Sequence, residues 1–133
     1  MSIATDTTPE IEFDTALTGL SGHTRFTLEA LGDDGVFFTL RSTQDPDVRL
    51  VLADPAPFYP DYDAVIDGDT ARALQLEDDG DGAVLAVVNM SRGAEAATMN
   101  LFAPIVVNPV KHRATQAVLY GEDHALDAPL PPR

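Results

Sequence analysis

Residues 23–53 read "HTRFTLEALGDDGVFFTLRSTQDPDVRLVLA", and the period of the apolar positions in this stretch is two. Thr24, Phe26, Leu28 and Ala30 fall on one side of an extended chain, with Arg25, Thr27 and Glu29 on the other. A period of two is the signature of a strand with one face buried, whereas a helix would repeat at 3.6. "GDDG" at 32–35 then supplies turn residues, since Gly and Asp tolerate the backbone angles of tight hairpins. Val36, Phe38 and Leu40 resume the alternation, "TQDPD" at 43–47 turns again, and Val48, Leu50 and Leu52 face one way in a third run. Three alternating runs joined by short turns predict an antiparallel meander.

The rest of the chain extends that pattern. "EIEF" at 10–13 reads as an edge strand. "AVLAVVNM" at 83–90 is almost wholly apolar and Val-rich, which predicts a short strand covered on both faces. "TMNLFA" at 98–103 and "IVVN" at 105–108 read as two strands parted by Pro104, which lacks an N–H and so belongs at a bend or an edge. "KHRATQAVLY" at 111–120 closes the set, with Lys111 and Arg113 on one face and His112 on the other. Between strands, Asp69 is placed to cap a helical segment over Thr70–Leu76, which must dock through Leu74 and Leu76 because so short a helix is unstable alone. The fold class is therefore mostly β: a small antiparallel β-barrel-like domain of seven or eight short strands with one short helix, spanning residues 10–124. Residues 1–9 and the proline-rich 125–133 read as flexible tails.

Bulk properties bound the function. A chain of 133 residues suits one domain with its own core. It holds no Cys, so disulfides and thiolate zinc sites are excluded. The N-terminal run "MSIATDTTPEIEF" has no basic start followed by an apolar stretch, and no window approaches a membrane-spanning length; a cytoplasmic protein away from the membrane is expected. Eight Lys+Arg against 22 Asp+Glu give a formal charge of −14. Nucleic acid is disfavoured as a direct ligand, because such binding neutralises phosphates with cations. A basic protein partner is favoured through electrostatic steering.

The acids concentrate between Asp54 and Asp81, where nine face a single base, Arg72. That stretch opens with "ADPAPFYPDY" at 53–62. A loop that only turned would use Gly, Asn and Asp. Here prolines stiffen the backbone around Phe58, Tyr59 and Tyr62, with Asp54, Asp61 and Asp63 beside them. Stiff backbone lowers the ordering cost of binding, and Tyr supplies area with a polar tip. The competing structural role is that Phe58 and Tyr59 plug one end of the barrel.

Enzymatic chemistry finds no footing. "EDDGDG" at 77–82 lacks the bidentate Glu an EF-hand needs at its twelfth position, which is Val88, and reads as a turn. His23, His112 and His124 have no ligand spacing. There is no nucleophile elbow, P-loop or dinucleotide fingerprint. No cofactor or metal is expected.

Several of these segments, in order, resemble the FliW family of flagellar assembly factors. In "IEFDTALTGLSGHTRFTL" (11–28), Ile11, Phe13, Leu17, Gly19, Phe26 and Leu28 match the family's opening; Asp14, Ala16, Thr18 and Leu20 stand where the family more often has Pro, Gly, Pro and Phe. "FFTLRSTQDPDVRLVLADPAPFYPDY" (37–62) is similar to its phenylalanine pair, two Asp-Pro turns, aromatic pair and Pro-Asp-Tyr. "NLFAPIVVNP" (100–109), from Asn100 to Asn108, is similar to its Asn-Leu-x-Ala-Pro-Ile-x-Ile-Asn run, and "RATQAVL" (113–119) fits its final strand. The resemblance implies a small non-enzymatic β-barrel, acting as a monomer, that binds flagellin in the cytoplasm and antagonises the RNA-binding repressor CsrA. It places the candidate protein-binding residues at Asp54, Phe58, Tyr59, Asp61, Tyr62, Asp63, Asn100 and Asn108. A barrel that binds a small molecule and an acidic nucleic-acid mimic are the alternatives.

Overall fold

Alternating apolar residues become strands wherever a neighbour can take up their backbone hydrogen bonds. A computed structural model of the chain describes residues 10–13, 24–31, 35–45, 47–62, 68–76, 82–90, 93, 96–119, 125 and 127–129. Over these it forms β1 (Glu10–Phe13), β2 (Arg25–Leu31), β3 (Phe37–Ser42), β4 (Arg49–Ala53), α1 (Gly68–Ala73), β5 (Ala83–Asn89), β6 (Thr98–Asn108), β7 (Arg113–Gln116) and β8 (Ala128–Pro129). The order β5-β4-β3-β2-β1-β7-β6 is closed by pairing of β5 with β6, making a seven-stranded barrel. The expected meander is β2-β3-β4, with Leu28 opposite Leu40 and Leu40 opposite Leu50.

One departure is topological. An all-antiparallel barrel was expected, yet β1 and β7 run parallel, with Glu12 opposite Arg113 and Phe13 opposite Ala114. A closed ring of seven strands cannot alternate direction throughout, so at least one neighbouring pair must be parallel. The other six contacts around the ring are antiparallel. β1 is accordingly no edge strand; it is the piece that lets the ring close.

A second departure concerns β6. Residues 98–103 and 105–108 are one strand running through Pro104. Val87 pairs with Asn100, and Leu85 pairs with Ile105, so two steps along β5 correspond to five along β6. The three extra residues form a wide bulge. Pro104 sits inside it, where its missing N–H costs no ladder bond, and its carbonyl accepts from Ala117 N at 2.9 Å. The Asn100 Oδ1 accepts from both Phe102 N and Ala103 N at 3.0 Å, bracing the backbone of the bulge.

An odd offset also exchanges faces. Below the bulge Ile105 and Val107 enter the barrel interior, joining Ile11, Phe13, Phe26, Leu40, Leu52, Leu85 and Ala114. Above it Met99 and Leu101 turn outward, onto a second apolar layer with Ala53, Ala86, Val88, Ala97 and Ala128. β5 is thus buried on both faces, as its continuous apolar run predicts: Leu85 and Val87 point in, Ala86 and Val88 point out.

The helix covers part of the outer layer. Asp69 lies in its first turn and pairs with Arg72 rather than acting as the expected cap. Leu74 is fully buried against Val106, Ala117 and Leu119, with Leu76 alongside. Gln75 takes a left-handed φ of 59°. Leu76 N then donates to Ala71 O at 2.9 Å and Gln75 N to Arg72 O at 3.0 Å, the paired bonds of a Schellman stop.

Two more expectations change. The strand expected over 111–120 is confined to Arg113–Gln116; Lys111 and His112 form the preceding turn, with His112 at a φ of 56°. They do not alternate along a strand. Within 125–133, read as a flexible tail, Ala128 and Pro129 pair with Met99 and Thr98 as β8.

Candidate protein-binding site

The loop that follows β4 is built by its own sequence. Asp54 N donates to Val36 O at 2.8 Å, carrying the β3–β4 ladder one step further. The Asp54 carboxylate then accepts from Ala56 N at 3.0 Å, an Asx turn that starts the loop. Phe58 N and Tyr59 N both reach back to Pro55 O, at 3.0 and 2.8 Å, and Tyr62 N donates to Tyr59 O at 2.9 Å. Consecutive turns closed around fixed proline φ angles give the aromatics defined directions.

Those directions lead along the outer wall. Phe58, Tyr59 and Tyr62 pack on the outward-facing apolar layer of β4, β5 and β6. Phe58 lies beside Phe37, ring centres 6.1 Å apart at a tilt of 55°. The loop therefore does not plug a barrel end; the interior is filled from within by Phe26, Leu40, Leu52 and their neighbours. The Tyr62 hydroxyl donates to Leu101 O at 2.8 Å, and the Tyr59 hydroxyl donates to Pro129 O. All three rings remain half-buried, so each keeps an accessible edge.

Between the loop and β6 lies a hollow of about 310 Å³, lined by Phe58, Tyr59, Pro60, Asp61, Tyr62 and Leu101. Asp61 is exposed on it and makes no ion pair among the described residues. The chemistry on offer is apolar contact framed by a carboxylate, which suits a side chain or short segment of another polypeptide. Replacing Tyr62 with Phe removes the hydroxyl bond to Leu101 O and keeps the ring; a loss of about 1 kcal/mol in urea-monitored stability is expected.

The eight candidate residues do not form one surface. Phe58, Tyr59, Asp61 and Tyr62 come together around the hollow. Asp54 starts the loop, and Asn100 supports the bulge. Asn108 is buried, with its amide directed at α1 and at the β6–β7 turn. Asp63 lies outside the described residues, as do His23, His124 and the acidic run 77–81. Pro60 and Leu101 line the hollow without having been singled out by sequence; Leu101 reaches it only because the bulge reverses the face of β6. Among the described residues no three His, Asp or Glu side chains gather into a metal-binding group, and no helix is long and apolar enough to cross a membrane.

Comparison with known proteins gives one consistent result. The family model described as "FliW protein" matches residues 1–130. The flagellar assembly factor FliW of Bacillus licheniformis is 32% identical over 120 residues, covering 90% of this chain and 84% of that protein. That of Syntrophotalea carbinolica is 34% identical over 130 residues, covering 92% of each. A crystal structure of the flagellar assembly factor FliW superposes with a TM-score of 0.84 at 26% identity, over 100% of this chain and 92% of that one.

Proposed function

The chain belongs to the FliW family, and on that premise we propose that it serves flagellar assembly by holding other proteins rather than by catalysis. The relatives are named as assembly factors, which is a regulatory and non-enzymatic role. In this proposal it acts as a cytoplasmic monomer with two partners, flagellin and the repressor CsrA. Flagellin that accumulates before export occupies the factor. CsrA is then free to silence flagellin mRNA, and export reverses the balance, so synthesis follows secretion.

The observation that supports this reading beyond the family is the half-buried aromatic hollow with Asp61 at its side, carried on a chain of net charge −14. Aromatic edges supply the desolvated contact area that dominates protein interfaces. Surplus negative charge speeds encounter with a basic partner and repels nucleic acid, which favours a repressor over its RNA as the thing bound. Among the described residues the barrel interior holds an apolar cluster packed on itself, with Ser42 as its one buried polar neighbour on β3, which argues against the small-molecule alternative.

Titration calorimetry with purified flagellin and purified CsrA tests the proposal. Each should bind the wild-type protein saturably. Phe58→Ala should weaken at least one of them by about 1–3 kcal/mol, the usual cost of truncating an anchor. Asp61→Lys should slow association with the basic partner, more at low salt than at high salt. Absence of binding to both partners by the folded wild-type protein would refute the function. Binding that collapses with salt yet ignores Phe58→Ala would favour a charge-only mimic over an aromatic interface.

A further inference from the structure

The C-terminal segment lies across the one stretch of β6 that neither β5 nor β7 completes. β6 meets β5 along both its halves, but on its other edge β7 pairs only with Ile105–Asn108. The upper half of that edge is covered by β8, two residues long, with Thr98 opposite Pro129 and Met99 opposite Ala128. Just beyond, Leu101 N donates to Ala125 O at 2.9 Å. Ala125, Asp127 and Pro129 are exposed, so among 125–129 the described apolar burial comes from Ala128, a single methyl group. Pro129 has no N–H to give the ladder. Among the described residues the cover is a two-residue strand with one buried methyl, yet beside it lie Met99 and Ala97, both buried, on the apolar layer that carries the aromatic loop.

The cover is also tied to the hollow. Tyr59 and Leu101 both line it. The Tyr59 hydroxyl donates to Pro129 O, and the Leu101 amide donates to Ala125 O. The segment therefore cannot leave without freeing two groups of the hollow and uncovering the Met99 stripe that continues it. Once free, the β6 edge presents backbone donors and acceptors that must find new partners. Water can take these groups up singly; a polypeptide in extended conformation supplies all of them together at strand spacing, with alternate side chains falling into the hollow.

We propose that β8, with the Ala125 carbonyl before it, is a displaceable strap, and that the protein partner engages this face by adding an extended segment to the β6 edge in the strap's place. This deepens the protein-binding reading above and rests on it. The strap keeps an apolar edge from pairing with the wrong chains until a better-fitting strand arrives. The partner's segment must be apolar at alternate positions, because the surface it covers is Met99, Leu101 and the loop aromatics.

The cysteine-free chain permits a direct test. Thr98→Cys with Pro129→Cys places a thiol on each residue of one cross-strand pair, so oxidation fastens the strap and reduction frees it. With flagellin as the probe, the oxidised protein should bind at least tenfold more weakly than the same protein reduced. Hydrogen exchange gives a second readout: on binding, the Ala128 amide should lose protection while the Leu101 amide keeps it. Equal affinity of oxidised and reduced protein, or unchanged protection of the Ala128 amide in the complex, overturns the proposal. If the wild-type protein does not bind flagellin at all, the functional reading fails instead. The strap is then judged without partner: Leu101 exchange faster than that of the β3 amides in the reduced protein and suppressed by oxidation supports it, and exchange only through global unfolding overturns it.

Discussion

Phe26→Ala is expected to remove about 3–5 kcal/mol of folding stability, roughly a fifth or more of what a domain of this kind possesses. Phe26 is fully buried in the barrel interior, on β2 opposite Ile11 and Ser42. Its ring meets Phe13 edge-on at 5.3 Å and 72°. Truncation loses the transfer energy of the ring, the aromatic pair, and the contacts of every side chain left facing the void. The walls cannot close on that void, because a seven-stranded ring has its circumference fixed by its hydrogen bonds. Urea denaturation followed by circular dichroism should show a lower midpoint at an unchanged slope. Phe26→Leu keeps most of the volume and should cost about half as much. A loss below about 1 kcal/mol for the alanine variant would mean that the interior is not packed, and would return the small-molecule barrel to contention.

Phe26 also shows why so much of the fold was legible. Where one face is buried, residue alternation fixes both the strand and the inward face, and this holds for β2, β3 and β4, although Phe37, Val51 and Ala53 on the other face of β3 and β4 carry the outer layer. β5 was legible for the opposite reason: an unbroken apolar run must be covered twice, and the second cover is the loop and helix on the outer wall. β6 defeats the same logic. Its apolar residues change face at a bulge whose support, Asn100, is an ordinary polar residue when read along the chain. Pro104 looks like a break because the sequence does not reveal that no ladder bond is required there. The parallel β1–β7 contact joins residues about a hundred positions apart and follows from strand parity, which is visible only once seven strands are known to close. β8 buries only Ala128 and so leaves almost no hydrophobic signal.

The candidate site divides in a similar way. The aromatics set among prolines come together in space: Phe58, Tyr59 and Tyr62 share one hollow with Asp61. Sequence could not say that the loop lies on the wall rather than in the barrel's mouth. That depends on Ala53, Ala86 and Ala97 being small enough to leave the wall shallow where the rings rest. Asn100 and Asn108 were grouped with the loop by resemblance alone, and a residue retained for the fold looks the same in one sequence as a residue retained for a partner.

Asn108 makes that distinction measurable. Its side chain is buried with all its capacity for hydrogen bonding engaged by described groups: Nδ2 donates to Leu74 O at 2.7 Å and Gln75 O at 3.3 Å, and Oδ1 accepts from Val110 N at 3.0 Å and Lys111 N at 3.2 Å. The first pair caps carbonyls at the end of α1 that the helix cannot satisfy itself, exactly where Gln75 holds a left-handed φ. The second pair shapes the turn that launches β7, which β1 needs to close the ring. Asn108→Ala deletes both sets and leaves buried polar groups facing a small void, so a loss of about 2–4 kcal/mol is expected. Asn108→Asp keeps the acceptor for the turn but sets a carboxylate against the Leu74 and Gln75 carbonyls, and should lose at least as much at neutral pH. Calorimetric unfolding checks both. Partner affinity separates the two roles: at a temperature where Asn108→Ala remains folded, its affinity for flagellin and CsrA should match wild type within about twofold, because nothing of Asn108 reaches the surface. A folded Asn108→Ala protein of near-native stability that failed to bind would reverse the assignment, making Asn108 a contact after all and leaving the cap without consequence.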